Sequence, residues 1–369
     1  MTPRFPDGEL DGLRARGAGH TATEIAQQPG LWPEVADLVG GDHATASWLA
    51  PLLAREDLRV VLTGAGTSAF VGQVLAPALT RLLGRAVEAV ATTDLLADPA
   101  GTLPGRPTLL VSFARSGDSP ESVAAAAVAD AALEEVHHLV VTCNADGRLA
   151  AALASRADAR VVVLPPATND RGFAMTSSFT SMLLAARLLL APGAPVPVAE
   201  LCAAAETALR SAGELAAVAA RGHDRVVLLG SGPLAGLARE ASLKLLELTA
   251  GAVVGLHDTA LGVRHGPKSF LRAGTLAVVF RSGDAYTRRY DDDIAAELRA
   301  ALGERDVLVV DPALPDGVPD DLRALPAAVT AQLLALRFAL AGPGTPDDPF
   351  PGGEVNRVVQ GVTVHPWQP

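Results

Sequence analysis

The sequence predicts an α/β protein made of two similar parallel-sheet units in tandem. Three observations predict it. Short apolar runs of strand length alternate with helical stretches, the pattern of a parallel sheet covered on both faces. The string Val60-Val61-Leu62-Thr63-Gly64-Ala65-Gly66 returns as Val226-Val227-Leu228-Leu229-Gly230-Ser231-Gly232. Arg115-Ser116-Gly117-Asp118 returns as Arg281-Ser282-Gly283-Asp284 at the same offset of 166 residues, with a slip of one residue between Phe113 and Phe280.

Taken in order, the chain opens with about twenty residues rich in Gly, Pro and Arg that read as a loose lead-in. Thr21-Ala22-Thr23-Glu24 has the capping-box pattern and should start a helix, which Pro29-Gly30 should break. Further helical turns follow over 32–40 and 48–54, completing an N-terminal segment of 1–55. The first α/β unit is expected over 56–197, with strands at 60–62 and near 87–91, 108–112, 138–142 and 160–164. Pro192–Pro197 and a helix over 198–220 lead into the second unit, 198–345. The Pro-, Gly- and Asp-dense stretch 342–353 is a loop, and 355–364 returns as an ordered apolar segment. That segment belongs to a tail, 346–369, expected to close the active site.

Composition narrows the function classes. The chain has 369 residues, 49% hydrophobic and 19% charged, enough to bury sizeable cores. A net charge of -11 argues against a nucleic-acid coat while allowing a local anion pocket. Only Cys143 and Cys202 are present, without metal-type spacing, so reduced thiols and no metal are expected. No charged-then-apolar leader opens the chain and no apolar run reaches membrane length, so the expectation is a soluble cytoplasmic protein without membrane partners.

Two loops are suited to an anion. Gly64-Ala65-Gly66-Thr67-Ser68 joins a strand to a helix, where glycines admit an anion to the backbone and N–H and hydroxyl groups bind it. The same residues would also make a plain βα turn. The dinucleotide pattern lacks its third glycine here. Ser112 to Ser122 holds four serines and Arg115, follows an apolar strand and enters a helix at Pro120. Several hydroxyls and N–H groups can grip one phosphate there, although a serine-rich cap is the bland alternative. The second copy lacks the following serines and reads as a structural relic. Asn169 to Ser178 is a further polar entry into a helix.

One helix stands apart. Glu240, Lys244 and Glu247 fall at i, i+4 and i+7 on one face, flanked by Leu237, Ala241, Leu245 and Leu248 on one side and Leu243 and Leu246 on the other. The charged stripe is only about 60° wide. Buried charges are costly unless paired or placed in a polar pocket, so the slot is expected to line a site. Gly251 offers a stop, and Arg264-His265-Gly266-Pro267-Lys268 gathers positive charge around one imidazole. An ion-paired structural helix followed by a cationic loop fits the spacing equally well.

These motifs together resemble the sugar isomerase (SIS) family, and within it the bacterial D-galactosamine-6-phosphate deaminase/isomerases, also called tagatose-6-phosphate ketose/aldose isomerases. The strings that carry the resemblance are residues 21–29, 62–70, 112–123, 170–178, 239–251, 264–269 and 355–368. The resemblance implies a tandem of two SIS domains, flavodoxin-like and three-layered. It implies deaminating isomerisation of D-galactosamine 6-phosphate to D-tagatose 6-phosphate and ammonia, without a cofactor. Isomerisation of another hexose 6-phosphate, glucosamine-6-phosphate deamination and a non-enzymatic sugar-phosphate sensor are the alternatives.

The isomerase half of glucosamine-6-phosphate synthase is similar at greater distance. By motif it implies a phosphate site at Gly66, Thr67, Ser68, Ser116 and Ser119, with Arg115 beside it and Ala174 and Gln360 as further substrate contacts. Glu247 matches the carboxylate that moves a proton between C1 and C2. Glu240 and Lys244 match its partners, and His265 matches the ring-opening histidine, lent in that relative by a neighbouring subunit. A homodimer or higher oligomer is therefore expected. Where that relative has a C-terminal lysine, this chain reads Val358-Val359-Gln360-Gly361, and Gln360 cannot form an imine.

Overall fold

The computed structural model describes residues 9–368. In chain order the helices and strands are α1 (Glu9–Ala15), α2 (Gly19–Gly41), α3 (His43–Leu53), β1 (Arg59–Thr63), α4 (Thr67–Leu83), β2 (Val87–Ala89), α5 (Thr92–Ala97), α6 (Pro99–Thr102), β3 (Thr108–Ala114), α7 (Pro120–Ala132), β4 (Val136–Thr142), α8 (Arg148–Leu153) and β5 (Ala159–Val163). They continue as α9 (Ser177–Leu190), α10 (Val198–Arg210), α11 (Ala212–Ala219), β6 (Arg225–Gly230), α12 (Pro233–Leu248), β7 (Val254–Asp258), β8 (Thr275–Phe280), α13 (Thr287–Leu302), β9 (Val307–Val310) and α14 (Asp320–Ala341).

The chain divides into two compact units. Among the described residues, one comprises 33–169, 178–196 and 353–368; the other comprises 9–32, 170–177 and 197–352. The first holds a five-stranded sheet of order β2-β1-β3-β4-β5, the second a four-stranded sheet of order β7-β6-β8-β9. Every pairing is parallel. Both have the flavodoxin-like order, in which ligands bind beyond the carboxyl ends of the two strands at the switch point. Those strands are β1 and β3 in the first sheet, β6 and β8 in the second. Each of the four is mostly apolar and, apart from Arg225 at one end, buried throughout, which requires cover on both faces.

The internal repeat is conformational as well as sequential. Gly66 sits at φ 55°, ψ -128° and Gly232 at φ 56°, ψ -128°. At Gly64 an added Cβ would lie 2.6 Å from the Ser68 backbone; at Gly230 it would lie 2.2 Å from the Leu234 carbonyl. In both copies the helix therefore starts against the strand end, an approach that only glycine permits.

Several local expectations fail for tertiary reasons. Residues 9–15, expected as loose lead-in, form α1, and Glu9 is paired with Arg337; residues 1–8 lie outside the described residues. Helix α2 runs through Pro29-Gly30 and Pro33, because burial of Leu31, Trp32 and Val35 outweighs the lost hydrogen bonds. Its capping box is unused. Asp347 accepts hydrogen bonds from the Thr21 N–H and hydroxyl, both at 2.8 Å, and from the His20 N–H. The single helix expected over 198–220 breaks at Ser211 into α10 and α11. Residues 355–364 form no regular element, and Val355, Val359, Val362 and Val364 are exposed; beyond them Trp367 packs on the Val61, Leu95 and Leu110 cluster.

His137 and His138 each meet a carboxylate: Glu135 at 3.0 Å and Asp130 at 2.9 Å. Contrary to the expectation of no membrane-length apolar run, α14 is long and apolar enough to span one. However, 78% of its most apolar window is buried, and it packs on α10, α11 and α12 as a core helix.

Candidate active site

In the five-stranded unit, the β1–α4 and β3–α7 loops leave the sheet side by side, since Thr63 is in register with Ser112. The positive φ of Gly66 turns the chain so that Thr67 and Ser68 open α4, both buried. The first N–H groups of this 17-residue helix carry the positive end of its dipole.

The second loop turns at Gly117, φ +70°, against Gly147; a Cβ on Gly147 would come within 2.5 Å of the Ser116 carbonyl. That carbonyl accepts from Asn144 Nδ2 at 2.8 Å, and the Asp118 carboxylate accepts from the Arg148 N–H. The Ser116 hydroxyl accepts from the Asp118 N–H at 3.2 Å. The Ser119 hydroxyl donates to Glu121 at 2.5 Å. The loop is braced from behind, and Gly66, Thr67, Ser68, Ser116 and Ser119 gather at one switch point. Arg115 is almost fully buried and donates to the Arg357 carbonyl at 3.0 Å, tying the tail to this unit. Gln360 lies three residues further along the tail, exposed.

In the four-stranded unit, α12 carries the charged slot. Glu240 and Lys244 are 2% and 1% exposed in their side chains, with Lys244 Nζ 3.6 Å from Glu240 Oε1. Lys244 also pairs directly with Glu247, whose side chain is 23% exposed. Burial works against the Lys244 ammonium, yet the charges of Glu240 and Glu247 outweigh it and raise its pKa. Glu247 is thus the one member of the triad that reaches solvent. Helix α12 ends at Leu248, with Gly251 at φ +77°. Leu246, on the flank of the charged stripe, is exposed.

Arg264 and Lys268 share Glu297 of α13. The His265 side chain is exposed and has no hydrogen-bond or ion-pair partner among the described residues. Ala174 is fully buried.

Sequence reasoning missed a second acidic group in this unit. Asp170 caps the turn before α9, accepting from Thr176 N–H at 2.8 Å and Ser177 N–H at 3.0 Å. Glu24, nearly buried, accepts from the Arg171 and Gly172 N–H groups. Burial first, then the Asp170 charge, push the Glu24 carboxyl up to about 8 against those hydrogen bonds. The Asp170 charge also favours the Lys244 ammonium. Strings 21–29 and 170–178 carried the signal, but read alone each looked like a helix cap. Among the described residues no group of three or more His, Cys, Asp or Glu side chains could hold a metal.

The two parallel three-layer units define an SIS-domain protein. The SIS domain model matches residues 52–192. An AgaS protein of Streptomyces coelicolor is 56% identical over 94% of this chain and 96% of its own. The D-galactosamine-6-phosphate deaminase AgaS of Shewanella sp. is 42% identical over 96% and 94%. The crystal structure of tagatose-6-phosphate ketose/aldose isomerase from Escherichia coli superposes with a TM-score of 0.86 at 38% identity, covering 95% of this chain and 97% of that one. The chain belongs to this AgaS branch of the SIS-domain family.

Proposed function

We propose that this enzyme converts D-galactosamine 6-phosphate and water to D-tagatose 6-phosphate and ammonia. One observation carries the reading: Glu247 is the solvent-reaching carboxylate of a buried Glu–Lys–Glu slot, in a chain 42% identical to a deaminase of that name. Thr67, Ser68, Ser116 and Ser119 hold the 6-phosphate. His265 moves a proton between the ring oxygen and O1, opening the sugar to its aldehyde. Glu247 removes the C2 proton and returns it at C1 through an enolamine, leaving a C2 imine. Water adds to that imine and ammonia leaves, giving the ketose. A positioned carboxylate base contributes about 10²–10⁴-fold, and the Lys244 ammonium steadies the charge developing at oxygen.

Gln360 contacts substrate hydroxyls and makes no covalent bond. The exposed, unpartnered His265 ring fits a role across a homodimer interface. A cytoplasmic location follows from a sugar-phosphate substrate. The name of the E. coli structure favours a second reading, isomerisation of a non-amino hexose phosphate. Incubation with galactosamine and glucosamine 6-phosphates separates the two. Ammonia released from the galactosamine substrate is expected; no ammonia from either amino sugar, with a ketose formed from a non-amino aldohexose 6-phosphate, overturns the deaminase reading.

A further inference from the structure

The second copy of the serine loop, Arg281 to Asp284, has no part in the chemistry above. Its geometry nevertheless repeats the first. The Ser282 hydroxyl accepts from the Asp284 N–H at 3.0 Å, as the Ser116 hydroxyl accepts from Asp118 at 3.2 Å. In the second copy two further donors are engaged. The Ser282 hydroxyl donates to Asp320 Oδ2 at 2.6 Å, and the Gly283 N–H donates to Asp320 Oδ1 at 2.7 Å. One carboxylate is thereby gripped through both oxygens, one by a hydroxyl and one by a backbone N–H, as a phosphate would be.

The neighbouring donors are engaged as well. Asp291 accepts from the Ser282 N–H at 2.9 Å and from the Ser231 hydroxyl at 3.2 Å. Ser282, Asp291 and Asp320 are all buried. The matching donors of the first copy, the Ser116 hydroxyl and the Gly117 N–H, have no acceptor among the described residues. The other arm lacks the two hydroxyls that open the helix in the first copy, since Pro233 and Leu234 stand in place of Thr67 and Ser68.

We propose that the Arg281–Asp284 loop is an oxyanion cradle whose ligand is built into the chain, the Asp320 carboxylate standing where a phosphate or sulfate would otherwise bind. The second copy is therefore closed to sugar phosphates, and its anion-binding energy docks the first residue of α14 instead. Removing the carboxylate opens a cradle for a free tetrahedral oxyanion.

The test uses the full chain with inorganic phosphate as probe and chloride at equal ionic strength as control. The parent protein sets the response owed to the first copy. Asp320→Ala is expected to be less stable in chloride and to gain more from phosphate than the parent does. At tenfold excess of phosphate over its dissociation constant, the extra shift toward the folded state is about 11-fold. The double variant Asp320→Ala/Ser282→Ala should lose that extra gain. Equal phosphate responses in Asp320→Ala and the parent overturn the proposal.

Asp320→Asn keeps the size and fills the cradle without a charge, and it decides the matter if the Ala variant does not fold. Exchanging charged for neutral acceptors should speed Gly283 amide exchange about tenfold. An unchanged exchange rate shows that the loop does not need an anion and overturns the proposal equally.

Discussion

Removing the ammonium from the α12 slot, by Lys244→Met, tests the reading of that helix most directly. Methionine keeps much of the lysine stem and deletes only the charge. At 3.6 Å the Lys244–Glu240 attraction is about 4–5 kcal/mol for an effective dielectric constant near 20. Both side chains are essentially sealed from water, so the carboxylate left behind cannot recover that energy by hydration. Deleting one partner of such a pair costs about 3–5 kcal/mol, a large share of a stability of about 5–15 kcal/mol. The double variant Glu240→Leu/Lys244→Met removes both charges and should return most of the loss, since well-packed apolar replacements of buried pairs are often neutral or stabilising. Urea unfolding followed by circular dichroism gives the three midpoints. A Lys244→Met variant within about 0.5 kcal/mol of the parent would show that the slot is hydrated, as would a double variant no more stable than the weaker single.

Other predictions follow from the same geometry. Glu247→Gln should abolish turnover and exchange of the C2 proton in heavy water, read by NMR, with phosphosugar affinity within about twofold; exchange at the parent rate would move the base elsewhere. Ser116→Ala should weaken phosphosugar binding by about 10–150-fold in calorimetry without loss of folding, each hydrogen bond to a charged group being worth roughly 1.5–3 kcal/mol; an unchanged dissociation constant would displace the phosphate site. Glu24 is raised from 4.5 to about 8, so its folded form holds a proton that the unfolded chain releases, and its contribution, up to about 5 kcal/mol, is full below pH 4.5 and lost as pH rises through 8. Glu24→Gln, which stays neutral and can still accept from the Arg171 and Gly172 N–H groups, should match the parent near pH 4 and exceed it in stability at pH 9; parallel stability curves would refute that. Borohydride trapping with D-tagatose 6-phosphate should leave no sugar near Gln360, and an adduct on any lysine would point to covalent catalysis.

What the sequence revealed was whatever short range decides. Strands β1, β3, β6 and β8 are apolar runs next to glycine turns, and their identity needs no distant partner. The repeat was readable because Gly66 and Gly232 must adopt one unusual backbone conformation. Illegible features were those set by residues far apart in the chain. Pro29-Gly30 is a breaker in isolation, but Trp32 and Val35 are buried strongly enough to carry the helix through. Thr21 looked like a cap, yet Asp347, over three hundred residues away, does the capping. Glu24 and Asp170 are separated by 146 positions and meet only in the fold. Arg264 and its partner Glu297 are 33 positions apart and likewise meet only in the fold.

The repeat also separates what the fold needs from what the chemistry needs. Helices α4 and α12 are equivalent, and at the offset of 166 residues Glu240, Lys244 and Glu247 correspond to Val74, Ala78 and Arg81. Val74 and Ala78 are 0% and 2% exposed, so the same two helix positions are satisfied by small apolar side chains in the first copy. Nothing in this architecture requires a buried charge there, and burying one costs free energy. The charges of α12 are therefore retained for something other than folding. The anion loops show the converse. The first copy keeps Thr67, Ser68, Ser116 and Ser119, while the second has Pro233 and Leu234 in one arm and an internal carboxylate in the other. One copy carries the hydroxyls of both loops, and the other carries the buried charged helix.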